Sequence, residues 1–184
     1  MASAGMSASE AVMDGPNKMP TAAARPQAGL WARVRRWLAS TPVRSFALYP
    51  VDVIAFEMIR QGGTLRVVPW GIPLLIWGYL QYRLVRNYRG RLGGGGPGLD
   101  VPPQHLVDEG PYRYTRNPMY LGHLIFMAGL ALTFWSWLAL AILLANVIWF
   151  HRRVRGDEQH LLAHFGAPYA DYCRRVKRWI PGLI

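Results

Sequence analysis

The chain has 184 residues, of which 52% are apolar and 17% charged, with a formal net charge of +11. That length sets one domain as the expectation, and the composition is too apolar for an ordinary soluble domain yet too charged for a chain made only of membrane spans. The basic residues lie beside apolar runs with Trp and Tyr between them, which favours a membrane lipid surface as partner. No nucleic-acid motif is present, so nucleic acid is excluded as an expected partner.

Residues 1–29 are rich in Ala, Ser, Gly, Pro and Met and lack periodicity, so they are expected to form a disordered tail, not a cleaved signal. The folded domain is expected over residues 30–184. The apolar run Phe46–Ile59 is marginally long for a span and contains Pro50, Asp52 and Glu57; by length alone it suits an interfacial helix. Residues 67–85 have the length of a span, with Trp70 near one end, Tyr82 and Arg83 near the other as interface anchors, and Pro69 and Pro73 in the first turns. The stretch GGGGPG at 93–98 reads as a flexible connector, since neither Lys-Ser nor Lys-Thr follows it as in a phosphate loop.

Residues 119–150 are apolar apart from His123, Thr133, Ser136 and Asn146. As one helix they would extend about 48 Å, against roughly 30 Å of hydrocarbon. Two short antiparallel helices turning at 133–137 fit better, each slightly short of a full span. Beyond them, Leu161, Leu162, Phe165, Tyr169, Tyr172, Cys173 and Val176 recur at helical spacing. They predict one or two amphipathic helices, interrupted near Gly166 and Pro168, that either lie on the membrane or fold over a site.

Basic-residue placement decides the number of elements. With four, the N-terminal segment carries six Lys and Arg, the loop at 83–116 six and the C-terminal segment seven, leaving Arg60 and Arg66 opposite. The expected fold is therefore an all-α integral membrane bundle of about four membrane elements, including the short hairpin. Both termini and the C-terminal amphipathic helices are expected on the cytoplasmic side, in a bacterial inner membrane. Asp52 and Glu57 are then expected to face the interior or a wet cavity, in a functional or a structural role.

The candidate chemistry lies in the loop from Gly110 to Tyr120, GPYRYTRNPMY, where Asn117 can cap a helix whose first turn holds Pro118. The hairpin brings HRRVRGDEQ, with Arg153, Asp157 and Glu158, back towards that loop. Arg153 is equally one of three arginines marking the edge of a span. His160 and His164 are four apart near the acidic pair, but HExxH and an obvious third ligand are missing, so no metal is expected. No Gly-x-Ser-x-Gly supports serine hydrolysis, and the lone Cys173 reads as a small hydrophobe.

GPYRYTRNPMYLG, an apolar hairpin and then RVRGDEQHLLAHFGAPYADYCRRVKRWIP together resemble the isoprenylcysteine carboxyl methyltransferase and phospholipid methyltransferase superfamily, over about residues 65–184. The resemblance implies a helical membrane bundle that binds S-adenosyl-L-methionine at its cytoplasmic end, within about residues 100–184. It assigns cofactor binding to Gln104, His105, Leu106 and Val107, to Tyr112, to Asn117, Pro118, Met119 and Tyr120, and to the acidic pair Asp157 and Glu158. Asp157 stands where the family has Glu, which leaves open which carboxylate meets the ligand. The resemblance places Arg153 at the reacting end of the acceptor, and Glu158 or Asp157 is a candidate base for an amine acceptor. The acceptor is expected to be lipid-like or another small molecule. Carboxyl O-methylation of an isoprenylcysteine-like group is the leading expectation, with phospholipid N-methylation, thiol S-methylation and a non-catalytic scaffold as alternatives.

Overall fold

A computed structural model of the chain describes residues 29–94 and 103–179, so the expected N-terminal tail and most of the glycine connector lie outside the described residues. Every regular element among the described residues is helical. The first is α1, Leu30–Leu38, whose Leu30, Val34, Trp37 and Leu38 share one helical stripe and are exposed. A single turn, α2 (Thr41–Val43), runs through a π-helical turn at Arg44–Leu48 into α3, Tyr49–Arg60. Pro50 accounts for the wider turn. It has no N–H to give the carbonyl of Phe46, and its ring crowds that carbonyl, so the backbone relaxes outward. The helix stops where Gly63 donates to the Met58 carbonyl at 2.8 Å, with Gly62 and Gly63 at φ +65° and +88°.

A 3₁₀ turn at Pro69–Gly71 leads into α4, Ile72–Leu92, which continues seven residues past the predicted span. A second 3₁₀ turn, Gly110–Arg113, precedes α5, Pro118–Phe134. The predicted hairpin turn falls where expected, with Trp135 in the left-handed region at φ 47°. Next comes α6, Trp137–Phe165, a single helix of 29 residues that carries the apolar strand of the hairpin and the HRRVRGDEQ motif without a break. Gly166, at φ 60°, breaks the chain before α7, Ala167–Arg175, as the Gly166 and Pro168 signals predict.

Helices α4 and α5 are antiparallel and pack most closely. Gly71 and Gly78 on one side face Gly129 and Gly122 on the other, each pair seven residues apart. A Cβ at Gly78 would sit 2.7 Å from the Gly122 carbonyl oxygen, and one at Gly122 would sit 2.9 Å from the Gly78 carbonyl oxygen. Small residues at this spacing let two helix backbones touch, the contact that replaces hydrophobic driving force where the solvent is itself apolar. Val53 of α3, Leu130 and Phe134 of α5 and Ala139 of α6 fill the adjoining core.

Among the described residues α6 alone is long and apolar enough to cross a membrane by length and composition, and α5 is a shorter apolar helix. Trp70, Trp135 and Trp137 are exposed at the end of the bundle holding the hairpin turn, as an aromatic belt would be. Two expectations need correction. Tyr82 is not an interface anchor: it is buried against Phe46 and His123. Asp52 does not face the interior; it is exposed on the outer side of α3. Glu57 is fully buried as expected, with Oε2 accepting from Arg60 at 2.6 Å and Gln61 at 2.7 Å.

Candidate active site

At the opposite end from the hairpin turn, α4, α5, α6 and α7 surround a cavity of about 670 Å³. That volume falls within the usual range of small-molecule sites, roughly 300–1,000 Å³. One wall carries three residues linked across the hairpin. The Tyr120 hydroxyl lies 2.9 Å from Asp157 Oδ2, and Arg153 Nε donates to the same hydroxyl at 3.1 Å. Arg153 and Asp157 are one helical turn apart on α6, 3.9 Å between charged atoms, and the guanidinium also lies over the Trp149 ring. The juxtaposition follows from the hairpin: α5 and α6 run antiparallel from Trp135, so the first turn of α5 meets the fifth and sixth turns of α6.

The loop before α5 supplies one wall. His105, Leu106, Val107, Tyr112, Asn117, Met119 and Tyr120 all line the cavity, as do Arg153 and Asp157. Tyr112 is held by its backbone, whose carbonyl accepts from the Tyr172 hydroxyl at 2.8 Å. Burial pushes the Tyr112 phenol up to about 12, and burial likewise raises that of Tyr172. Both rings are therefore neutral near pH 7. Gly110 is required next to them. Its φ is +58°, and a Cβ there would fall 2.6 Å from the Tyr88 ring.

Three of the predicted residues stand elsewhere. Gln104 folds against the connector, its backbone N–H donating to the Gly93 carbonyl at 2.8 Å. Pro118 is buried in the first turn of α5 as predicted, where its carbonyl accepts from Gln81 at 3.0 Å. Glu158 points away from the cavity. It takes three hydrogen bonds from Arg178, the shortest 2.7 Å, and pairs with Arg116 at 3.3 Å. This contact raises the Arg178 pKa, the hydrogen bonds to Glu158 being the main cause. Successive residues on a helix point about 100° apart, so only one of the two carboxylates can face inward, and that one is Asp157.

Asn117 occupies the N-cap position of α5, but its side chain does not cap the helix. Its Nδ2 donates instead to the Arg178 carbonyl at 3.2 Å, and the Thr115 hydroxyl donates to the same oxygen at 3.0 Å. The Arg116 N–H reaches the Lys177 carbonyl at 3.0 Å. Residues 177–178 thus form a strap over the loop. With α7 folded inward, Tyr169 and Tyr172 become cavity wall.

Several lining residues were not expected. Arg86 and Arg89 come from the extension of α4, and Trp37 and residues 39–43 from the segment before α3. Helical spacing alone marks Tyr82, Arg86 and Arg89 as one stripe; nothing in the sequence of residues 37–43 signals a wall.

The fold and cavity define a helical bundle whose one end encloses a site made of tyrosines, one inward carboxylate and several arginines. The phospholipid methyltransferase family profile matches residues 71–168. Protein-S-isoprenylcysteine O-methyltransferase A of Arabidopsis thaliana is 33% identical over 136 residues, 72% of this chain and 68% of that protein. Protein-S-isoprenylcysteine O-methyltransferase of Schizosaccharomyces pombe is 32% identical over 78 residues, and Methanethiol S-methyltransferase 2 of Bradyrhizobium diazoefficiens 36% identical over 88 residues. The match spans 33% of the length of each of these last two proteins. The chain belongs to the phospholipid methyltransferase family, within the superfamily that includes the isoprenylcysteine carboxyl methyltransferases.

Proposed function

We propose that the protein is an S-adenosylmethionine-dependent methyltransferase embedded by about four helical elements in a membrane, with the cavity on the cytoplasmic side. The observation that carries this reading is the meeting of Tyr120 and Asp157, separated by 37 residues, on one cavity wall. The residues present fit the cofactor. The Asp157 carboxylate suits an ammonium group or a ribose diol, the backbone groups of His105–Val107 suit polar edges, and the neutral faces of Tyr112 and Tyr120 suit a sulfonium. When bound, S-adenosylmethionine supplies an electrophilic methyl group.

The chain's own work is then alignment. Tyr120 and Asp157 hold the donor side, the strap and α7 keep water out, and Arg153, anchored through Tyr120, sets its guanidinium on the acceptor side. Arginine is suited to a carboxylate because it can make two parallel charge-assisted bonds. This favours carboxyl O-methylation of an isoprenylcysteine-like lipid, in line with the names of the plant and yeast relatives.

Two measurements test the reading. Isothermal titration of the detergent-purified protein with S-adenosylhomocysteine is expected to give micromolar binding. A labelled-methyl assay across prenylcysteine, phosphatidylethanolamine and small thiols is expected to rank prenylcysteine first. A well-folded protein that binds no S-adenosylhomocysteine would instead be a membrane scaffold.

A further inference from the structure

One polar group on the cavity wall takes no part in the Tyr120 relay. His123, one turn further along α5, lines the cavity and is 2% exposed. Its ring centroid lies 4.6 Å from that of Phe46, 4.8 Å from Tyr82 and 5.7 Å from Phe150. Its Nδ1 is buried without a hydrogen-bond partner. Leaving such an atom unsatisfied costs about 1–3 kcal/mol, and a phenylalanine would fill the same aromatic cage without that cost. Packing therefore does not account for an imidazole at this position.

The surroundings state what the ring can serve. Arg86, Arg89, Arg116 and Arg153 also line the cavity, Arg116 paired with Glu158 and Arg153 with Asp157. The cage of Phe46, Tyr82 and Phe150 is uncharged, and Tyr82 is its only other titratable member. A neutral, protic head group suits that end. We propose that His123 is the proton acceptor for a methyl acceptor that arrives protonated, of which an alkyl thiol is the simplest case. This rests on the methyltransferase reading above.

The step balances. The S–H bond breaks and its proton goes to the ring nitrogen. The sulfur lone pair so freed forms the new S–CH₃ bond, while the donor sulfur keeps the electron pair of the bond that breaks. The positive charge lost from the S-adenosylmethionine sulfonium ends on the imidazolium, which gives the proton to solvent once the products have left.

The test uses the full chain in detergent as wild type, His123→Phe and His123→Gln, with 1-octanethiol and N-acetyl-S-farnesylcysteine as acceptors. In cofactor-free, histidine-labelled wild type, the ring-nitrogen signal missing from His123→Phe is expected to shift on adding octanethiol. Phe is expected to preserve S-adenosylhomocysteine affinity within about twofold and to lower kcat on octanethiol at least about 100-fold, the lower end of general-base effects. Gln, which takes up no proton, is expected to fall equally. Turnover of farnesylcysteine, which needs no proton removed, is expected to stay within about threefold. An unmoved ring signal, undiminished thiol turnover in His123→Phe, no thiol turnover in wild type, or an equal loss on both acceptors overturns the proposal. Failure of the wild type to bind S-adenosylhomocysteine is a separate result and sinks the methyltransferase reading itself.

Discussion

The Tyr120 hydroxyl stands between Asp157 Oδ2, at 2.9 Å, and Arg153 Nε, at 3.1 Å, so one phenol couples an inward carboxylate to a half-exposed guanidinium. Removing that hydroxyl is therefore expected to disturb both partners. Tyr120→Phe keeps the ring against Phe150 and loses only the bridge. Charge-assisted hydrogen bonds contribute about 1.5–3 kcal/mol, so S-adenosylhomocysteine affinity is expected to fall about 10- to 100-fold by isothermal titration. Asp157→Asn is expected to fall by a similar factor. Unchanged affinity in both variants would remove the relay from the cofactor site.

Glu158 is expected to act on stability and not directly on ligand. Its carboxylate is shared by Arg116 and Arg178 and is mostly buried, so Glu158→Ala leaves two guanidiniums without their partner. Removing one member of a buried ionic network is costly, and with Arg178 partly solvated a loss of about 2–3 kcal/mol is expected. Thermal unfolding in detergent checks this. Arg178→Met, which removes one cation and leaves the Glu158–Arg116 pair, is expected to cost less than Glu158→Ala.

The glycine seam between α4 and α5 is expected to tolerate no side chain. At Gly122 a methyl group meets backbone on α4 at 2.9–3.0 Å, which cannot yield as a flexible side chain does. Gly122→Ala is expected to lower stability by about 1–3 kcal/mol, and Gly122→Leu to prevent accumulation of folded protein. Gly156→Ala is the control, because nothing lies near its added carbon. A Gly122→Ala protein as stable as the control would contradict the packing described.

The buried phenols predict alkaline sensitivity. Tyr112 sits near 12 in the folded protein against an ordinary value near 10, raised by burial. The folded state therefore holds its proton where the unfolded chain has lost it. The contribution is fully present below about pH 10 and is lost as pH rises from there towards 12. Unfolding temperature measured from pH 8 to 11 is expected to decline less steeply in Tyr112→Phe than in wild type. Parallel curves would show that Tyr112 does not ionise differently in the two states.

Much of the architecture was legible because it follows from local rules. The apolar run at 119–150 was too long for one span and carried a polar break, so the turn at Trp135 followed from bilayer thickness. Gly166 and Pro168 marked the last break by backbone preference. The loop residues and the Asp157 side of the hairpin came from a motif whose spacing is itself a helix-hairpin geometry. What escaped depended on facing direction and long-range contact. The acidic pair was legible as a pair, but its division into an inward Asp157 and an outward Glu158 depends on Arg178, which is 20 residues away along the chain. Asn117 looked like a cap, yet its amide is taken by the Arg178 carbonyl. Tyr82 resembled an interface anchor because its neighbour Arg83 is charged; the tight approach at Gly78 and Gly122 turns its ring inward instead. The π-helical turn before Tyr49 brings residues 39–43 to the cavity, and no periodic signal announces it.

The seam of Gly78 and Gly122 has a bearing on traffic through the molecule. Two rods whose main chains already touch cannot swing apart to admit a greasy tail without giving up the contacts that join them, so that flank of the barrel-like enclosure is a fixed wall. The chain around Thr41 and Pro42 lines the same cavity without any such main-chain seam, so whatever give the enclosure has lies away from these two rods.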